Sequence, residues 1–319
     1  MLVVALPAGD ATAARRHVPQ GFLGANVSGP MLDSGVGTAG EFAAMTRAGV
    51  ESVRLPVFWA AMQPTQDGPI DFSVTDRLIG GAAARGLRIL PNVERTPDWA
   101  AQRPGTAYNA SPPRDPATYA AFLTALVHRY GPGGEYWRAH PGVRAVPVRA
   151  YQVWNEPGQP YYWTEQPFAR PYVRLLAAAR AAIKAADRGA QVVLAGLNSG
   201  YGFLSWTDLA KVYAAGGGRL FDQAAQNPFS LRTANVVRSV RLFRDVMARH
   251  GDGRKPVLLT ELSWPSAKGK TNVGQDISVT PKQQAKNLTA RALTRFVEAL
   301  GIRLRLYAYD GRSRFRVRV

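Results

Sequence analysis

One pattern constrains the fold of this chain more than any other. An alanine-rich amphipathic stretch is followed by a glycine and then by an aliphatic run typical of a strand, at residues 47–57 (RAGVESVRLPV), 85–93 (RGLRILPNV) and 299–308 (ALGIRLRLYA). Glycine is the residue that most often ends a helix in the left-handed conformation. Each copy therefore predicts a helix that leads directly into a strand. Strands alternating with helices favour a parallel sheet.

The strand-like runs divide the chain into eight units. They lie at residues 22–26, 52–55, 88–93, 149–154, 192–195, 221–225 (the weakest), 257–260 and 303–307, each separated from the next by room for a helix. Eight such units in 319 residues match a (β/α)8 barrel. A doubly wound sheet is the alternative, but the first strand is followed by GANVSGP rather than the GxGxxG of a dinucleotide loop. We predict a single-domain α/β protein with a TIM-barrel fold.

Several helix starts carry capping signals, in which a Ser, Thr or Asp precedes the helix and a proline or an acidic or amide residue follows. The predicted caps are Asp115 with Pro116, Thr280 with Pro281 and Gln283, and Ser205 with Asp208.

The last β/α unit departs from the pattern. Strands of a parallel barrel are buried on both faces and are usually continuous aliphatic runs, yet the chain ends RLRLYAYDGRSRFRVRV, with arginine at alternate positions. We predict an irregular or truncated last unit. The sequence leaves open whether the barrel is completed irregularly, the chain stops early, or the C-terminal segment has been replaced.

The first residues resemble the end of a secretory signal. A short apolar run precedes Ala11-Thr12-Ala13, a small-residue pattern typical of signal cleavage sites. We expect residues 1–16 to be a signal remnant or a disordered terminus and residues 17–319 to form the catalytic domain. The protein is then secreted or exposed on the cell surface, and the alternative is a cytoplasmic protein.

Composition excludes several classes of site and partner. The chain has no cysteine, which rules out disulfides and thiolate chemistry, and its four histidines are far apart, so no metal or other cofactor is expected. No apolar run approaches the roughly 18 residues of a membrane span. The formal charge of +18 indicates either an acidic polymer as partner or arginines on solvated faces. No nucleic-acid-binding motif is present, so we expect no nucleic-acid partner. We also expect a monomer.

Two glutamates follow strong strand signals. Glu156 comes after AYQVWN on the fourth strand, and Glu261 comes after PVLLT on the seventh. In a barrel of this kind the chemistry lies at the C-terminal ends of the strands, and strands three apart face each other across the ring. Two facing carboxylates are what glycosidic cleavage needs, one as proton donor and one as nucleophile or base. Pro157 is predicted to hold Glu156 in an extended conformation.

The motif Trp154-Asn155-Glu156-Pro157, together with Thr260-Glu261, resembles the retaining (β/α)8 glycoside hydrolases of clan A, and most closely families 39 and 5, in that order. The similarity runs from about residue 22 to 265. The resemblance implies that Glu156 is the general acid/base and Glu261 the nucleophile. It further implies that Asn155 hydrogen-bonds the sugar 2-hydroxyl and that Arg54 lies beside Glu261 and keeps it ionised.

Other residues near the strand ends are candidates for substrate binding. They are Trp99, Trp163, Trp264 and Asn227. Each tryptophan could be a sugar platform or a packed loop aromatic. Glu94 could be a third carboxylate in the cleft or an ion-pair partner of a nearby arginine.

Two departures from the family keep other interpretations open. After the sixth strand, relatives usually have a His-Pro-Tyr-like segment, and this chain has Asn227-Pro228-Phe229; at the eighth strand, Tyr307 and Tyr309 stand where relatives have a tryptophan. We predict a retaining glycoside hydrolase that acts on a β-linked polysaccharide or oligosaccharide. The alternatives are a carbohydrate-binding barrel without efficient turnover and a basic protein that binds an anionic polymer through its arginine-rich end.

Overall fold

The computed structural model describes residues 21, 23–27, 29–33, 35–200, 202–269 and 277–288, and the backbone of 304–308. The predicted signal remnant at 1–16 and the arginine-rich end at 309–319 lie outside the described residues.

The described residues contain parallel strands that alternate with helices. The strands are β1 (Leu23–Asn26), β2 (Ser52–Phe58), β3 (Arg88–Glu94), β4 (Ala150–Val153), β5 (Gln191–Val193), β6 (Leu197–Ser199), β7 (Ala224–Pro228), β8 (Val257–Leu262) and β9 (Leu304–Ala308). The helices are α1 (Thr38–Arg47), α2 (Trp59–Met62), α3 (Ser73–Ala83), α4 (Pro116–Tyr130), α5 (Glu135–Ala139), α6 (Ala169–Ala186), α7 (Ser205–Ala214), α8 (Thr233–Arg249) and α9 (Pro281–Asn287).

All strand pairs are parallel, and the sheet runs in the order β5-β4-β3-β2-β1-β9-β8-β7-β6. Its two ends, β5 and β6, are successive parts of the same run of chain, so they form one interrupted fifth barrel strand. Single parallel bridges, Asn155 to Gly196 and Val193 to Gln223, join the neighbouring strands across this interruption. The ladder is therefore not continuous at this point, and β7, β8 and β9 are the sixth, seventh and eighth barrel strands.

The predicted single-domain (β/α)8 fold is confirmed. Each of the eight predicted strands overlaps a strand of the structure, but the weak sixth one begins at Ala224 rather than at residue 221. The helix-ending glycines were also predicted correctly, since Gly49 and Gly86 have φ angles of 83° and 69°. Gly301 lies outside the described residues.

Two of the three predicted helix caps form. The Asp115 side chain accepts a hydrogen bond from the Ala117 amide, and Thr280 accepts one from the amide of Gln283. The predicted cap at Ser205 was wrong. Ser205 is already the first helical residue, and its hydroxyl lies 2.6 Å from the Ser199 hydroxyl, within a buried polar cluster, instead of capping the helix.

Inside the barrel, side chains change from apolar to polar along each strand. A small apolar cluster of Leu90, Val193, Ala225 and Leu258 comes from four different strands and is separate from the large core between strands and helices. Two residues further along three of these strands, where side chains return to the same face, the positions are Asn92, Asn227 and Thr260, all buried. The barrel interior is thus closed by apolar residues at the N-terminal ends of the strands and lined with polar ones at the other end, which we call the mouth.

Among the described residues, no helix has the length and apolar character that crossing a membrane requires.

Candidate active site

Both predicted catalytic glutamates lie at the mouth. Glu156 follows β4 by three residues, and Glu261 is the fifth residue of β8. Glu156 is buried, whereas the side chain of Glu261 is 17% exposed. The strand assignment therefore brings the two carboxyl groups to the same end of the barrel, on the fourth and seventh strands.

Arg54, the third residue of β2, binds Glu261 and its surroundings. Its Nη1 donates to Glu261 Oε1 at 3.0 Å and to Asn26 Oδ1 at 3.1 Å. Its Nε donates to Gln152 Oε1 at 2.6 Å, and its Nη2 donates to Asn155 Oδ1 at 3.0 Å. With all three guanidinium nitrogens engaged and only 5% of its surface exposed, Arg54 holds the nucleophile candidate in place rather than reaching for substrate.

Glu156 is held by side-chain amides. Asn227 Nδ2 donates to Glu156 Oε1 at 2.6 Å, Asn198 Nδ2 donates to Oε2 at 3.3 Å, and Gln159 Nε2 also donates to Oε2. These amide donors favour the ionised form and so oppose the effect of burial on the pKa of Glu156, but none of them carries a positive charge. This differs from the environment of Glu261, whose direct partner is a cation.

The structure contradicts the prediction that Asn227 binds substrate. It is completely buried, its Nδ2 is used by Glu156 and, at 3.4 Å, by Asn155 Oδ1, and its Oδ1 accepts from Thr260 Oγ1 at 2.6 Å. No atom of this amide is left for a sugar. The late start of β7 puts Asn227 inside the strand rather than in the loop after it, so it positions Glu156 from within the barrel.

Asn155 connects the two halves of the site. Its Oδ1 accepts from Arg54 and Asn227, and within the described part of the chain no residue accepts from its Nδ2. A free amide donor between the two glutamates is consistent with the predicted contact to a sugar hydroxyl.

The backbone around Glu156 differs from the prediction. Glu156 has a φ of 43° and Trp154 a φ of 72°, both in the left-handed region, so Pro157 does not hold Glu156 in an extended conformation. The preference of a residue before proline is outweighed here by tertiary hydrogen bonds from Glu156 N to Gly196 O and from Trp154 N to Val93 O, at 3.1 and 2.9 Å. Such conformations cost of order 1–3 kcal/mol each and cluster at functional sites.

The two carboxyl groups have different environments for a proton. Burial raises the pKa of Glu156 from its ordinary value of 4.5 to about 8, and the nearby Glu261 adds to the rise. Burial also raises the pKa of Glu261, and the ion pair with Arg54 opposes that rise. Burial thus outweighs the expected lowering by Arg54. Because Glu261 alone of the two is hydrogen-bonded to a guanidinium, we infer that it ionises first and that Glu156 keeps the proton.

Glu94 is a third carboxyl group at the mouth. It is the last residue of β3 and is 6% exposed. Its carboxyl group has no hydrogen bond or ion pair within the described residues. Burial raises its pKa to about 7, against the opposing charges of Arg54 and Arg95. Of the two interpretations from sequence, a cleft carboxyl and an ion-pair partner, the structure supports the first.

Of the three tryptophans predicted to bind substrate, two are packed loop aromatics instead. Trp163 and Trp264 are completely buried, so neither ring has a face open to a sugar. Trp163 packs edge-on against Trp154, with ring centroids 5.0 Å apart, and Trp264 donates its Nε1 to the Ser230 carbonyl at 2.8 Å. Both tryptophans anchor loops. Trp99 is partly exposed and donates to the Gln63 carbonyl, and its role in substrate binding stays a prediction.

Sequence reasoning missed several residues of the site. Asn26, Gln152 and Asn198 hold Arg54 or Glu156 directly. The available signal was a polar residue at an inward position near the end of an apolar strand, as in LGAN and AYQV.

One sizeable cavity of the described residues lies away from this site. A cavity of 390 Å³ is lined partly by Arg149 and Asp187. Arg149 immediately precedes β4, which places the cavity at the end of the strands opposite to the glutamates. Among the described residues there is no group of three or more His, Asp or Glu side chains able to hold a metal ion.

Comparisons with known proteins support the fold. No protein-family model matches the sequence, and no curated protein matches it. The structure is similar to that of a family 39 glycoside hydrolase from Bacteroides cellulosilyticus WH2, with a TM-score of 0.65 and 15% identity over 93% of this chain and 58% of that one. It is also similar to a GH39 beta-xylosidase from Caulobacter crescentus, with a TM-score of 0.59 and 20% identity over 90% of this chain and 61% of that one.

A third similar structure is that of fungal beta-1,4-galactanases, with a TM-score of 0.57 and 18% identity over 90% of this chain and 88% of that one. The chain spans about three fifths of the length of the two family 39 structures. At these identities the likeness shows the fold alone, which is a (β/α)8 barrel.

Proposed function

We propose that this protein is a retaining glycoside hydrolase that cleaves β-linked polysaccharides or oligosaccharides. The observation that carries the proposal is that two carboxyl groups at the mouth of one barrel have different hydrogen-bond partners. Glu261 is paired with Arg54, and Glu156 is buried among neutral amides. This is the division of roles that a nucleophile and a general acid require.

In the proposed mechanism, Glu261 attacks the anomeric carbon while protonated Glu156 gives its proton to the departing glycosidic oxygen. A covalent glycosyl–enzyme forms at Glu261. Glu156, now ionised, takes a proton from a water molecule that attacks the same carbon and releases Glu261. The Nδ2 of Asn155 donates to the sugar 2-hydroxyl, and Arg54 orients Glu261 throughout.

The similar structures and the charge indicate which glycans to examine first. Similar structures include a beta-xylosidase, beta-1,4-galactanases and an endoglucanase, so β-linked xylans, galactans and glucans come first. The formal charge of +18 adds uronate-containing glycans to that set.

The test is the stereochemistry of the first product. We expect a proton NMR time course on a reactive aryl β-glycoside to show the β-anomer first, with the α-anomer appearing only by mutarotation, because two displacements restore the configuration. First appearance of the α-anomer would point to single displacement by water and would contradict the nucleophilic role of Glu261.

The pH dependence tests the assignment of the proton donor. We expect kcat/KM to fall as the pH rises through about 8, because Glu156 then loses the proton that it must donate. Glu156→Gln should lower kcat/KM by about 10²–10⁴-fold and remove this basic limb from the residual activity. Glu94→Gln is the matched control and should keep the limb. A limb that disappears in Glu94→Gln and persists in Glu156→Gln would exchange the two roles.

A second candidate function is carbohydrate binding without turnover. It is favoured by Phe229, which stands where relatives carry a tyrosine after the sixth strand, so that the hydroxyl expected near the nucleophile is missing. Calorimetric binding of a glycan that the protein does not hydrolyse would support this function over the enzyme.

A further inference from the structure

Two exposed tyrosines lie together at the mouth end of the barrel. Tyr108 is in the loop after β3 and is 51% exposed, and Tyr161 is in the loop after β4 and is 48% exposed. Their ring centroids are 4.4 Å apart. Most large aromatic side chains of the described residues are buried, so an exposed pair contributed by two neighbouring loops is unusual. Its exposure is a cost that a role in binding would explain.

Contacts on both sides hold the two loops that carry Tyr108 and Tyr161. The two loops are joined by a backbone hydrogen bond from Thr164 N to Ala110 O at 3.1 Å. Buried Trp163 anchors the loop that carries Tyr161. The Arg95 guanidinium lies 4.0 Å from the centroid of the Phe58 ring and 5.6 Å from that of Tyr108.

Backbone strain is concentrated in the same loop. Arg95, Tyr108 and Asn109 have φ angles of 68°, 58° and 50°, and the Asn109 carbonyl accepts from Thr96 N at 3.1 Å. Non-glycine residues in this region are uncommon and persist where the surrounding structure requires them. The backbone that carries Tyr108 is therefore held in a defined conformation, which reduces the entropy lost on binding.

The pair is continuous with the candidate active site. Tyr161 packs edge-on against Tyr162, with ring centroids 4.9 Å apart. The Tyr162 amide donates to the Gln159 carbonyl at 3.0 Å, and the Gln159 side chain donates to Glu156. Burial raises the pKa of the Tyr162 phenol, and the charges of Glu156, Glu261 and Glu94 raise it further. Tyr162 thus connects the glutamates to the exposed pair, and a chain bound across the glutamates would pass Tyr162 before it reached Tyr161.

We propose that Tyr108 and Tyr161 form a distal subsite that stacks on a glycosyl unit of the same β-linked glycan, away from the bond that is cleaved. The apolar face of a pyranose ring covers the tyrosine rings, and the phenol hydroxyls donate to its hydroxyl groups. The subsite rests on the proposed function, because its occupant is a further part of the substrate chain. It gives the protein a preference for longer chains over short glycosides.

The test compares chain lengths. Xylo-, cello- and galacto-oligosaccharides from disaccharide to hexasaccharide are hydrolysed by the wild-type protein and by Tyr161→Ala and Tyr108→Ala. For the series that is turned over, kcat/KM should rise with length in the wild type. Tyr161→Ala should lose about five- to tenfold of kcat/KM on the hexasaccharide and little on the disaccharide. Leu231→Ala is the matched control, since Leu231 is 47% exposed in the loop after β7. It should leave kcat/KM unchanged on both the hexasaccharide and the disaccharide.

Calorimetry on the Glu261→Gln protein separates this inference from the proposed function. The Glu261→Gln protein should bind the hexasaccharide more tightly than the disaccharide. Loss of this difference in the double variant Glu261→Gln/Tyr161→Ala supports the subsite. If short glycosides are cleaved with no gain from length, or if Tyr161→Ala weakens short and long chains equally, the subsite is overturned and the hydrolase stands. If no member of the three series is bound or cleaved, both proposals are overturned for these glycans.

Discussion

Glu261→Gln is expected to abolish glycoside hydrolysis, with a loss of about 10⁴-fold or more in kcat. The amide cannot form the glycosyl–enzyme, while Arg54 keeps a hydrogen-bond acceptor at the same place, so the fold should persist. The measurement is initial-rate hydrolysis of aryl β-glycosides by purified protein, with circular dichroism as the check on folding.

Glu41→Gln is the control for this experiment, because Glu41 is an exposed carboxylate on α1. It should retain wild-type rates. Turnover by Glu261→Gln equal to that of the wild type would remove Glu261 from the mechanism, whatever its position at the mouth.

Arg54→Met is expected to have the second-largest effect, on both activity and stability. Loss of the guanidinium removes the Arg54 donor from the Glu261 carboxylate and from the acceptor oxygens of Gln152 and Asn26. We expect kcat/KM to fall by about 10²–10³-fold. Breaking a buried ion pair costs about 3–5 kcal/mol of unfolding free energy.

The pH dependence of that loss has a definite sign. The ion pair stabilises the folded state only when Glu261 is ionised, so the difference between wild type and Arg54→Met should grow as the pH rises through the pKa of Glu261 and shrink at acid pH. Urea denaturation across this range measures the difference. Arg149→Met is the control, since Arg149 pairs with Asp187 at a side chain that is 57% exposed, and it should change stability by less than about 1 kcal/mol. A loss in Arg54→Met that is independent of pH would mean that packing, rather than charge, is responsible.

The fold and the positions of the two glutamates could be predicted from the sequence because both depend on local patterns. These patterns each span about ten residues: a glycine after a helix, an aliphatic run, and a polar residue at the end of that run. They placed Glu156 and Glu261 at the ends of the strands where the structure has them. The roles of Trp163 and Trp264 could not be predicted in the same way. Whether a loop aromatic is buried depends on packing against distant segments, and the sequence does not contain that information locally.

The backbone of Glu156 shows the same limit at the scale of a single residue. The Pro157 rule is a local preference, and long-range hydrogen bonds to Gly196 and Val93 override it. The amides around Glu156 come from β6 and β7 and from the loop after β4, so their convergence depends on the assembled barrel. Asn227 was predicted to be part of the site as a sugar-binding residue, but it is buried inside β7 and holds Glu156 instead.

The interruption between β5 and β6 has a consequence for how this barrel can vary. At the gap, Gly196 accepts from the Glu156 amide, and a Cβ on Gly196 would lie 2.5 Å from Asn227 Oδ1 and 2.7 Å from Thr260 Oγ1. The main chain at the break thus supports Glu156, the proposed acid. A variant that restored a regular fifth strand with a larger residue at position 196 would gain pairing and lose the alignment of Glu156. The proposed catalysis and strand continuity are therefore opposed at this position.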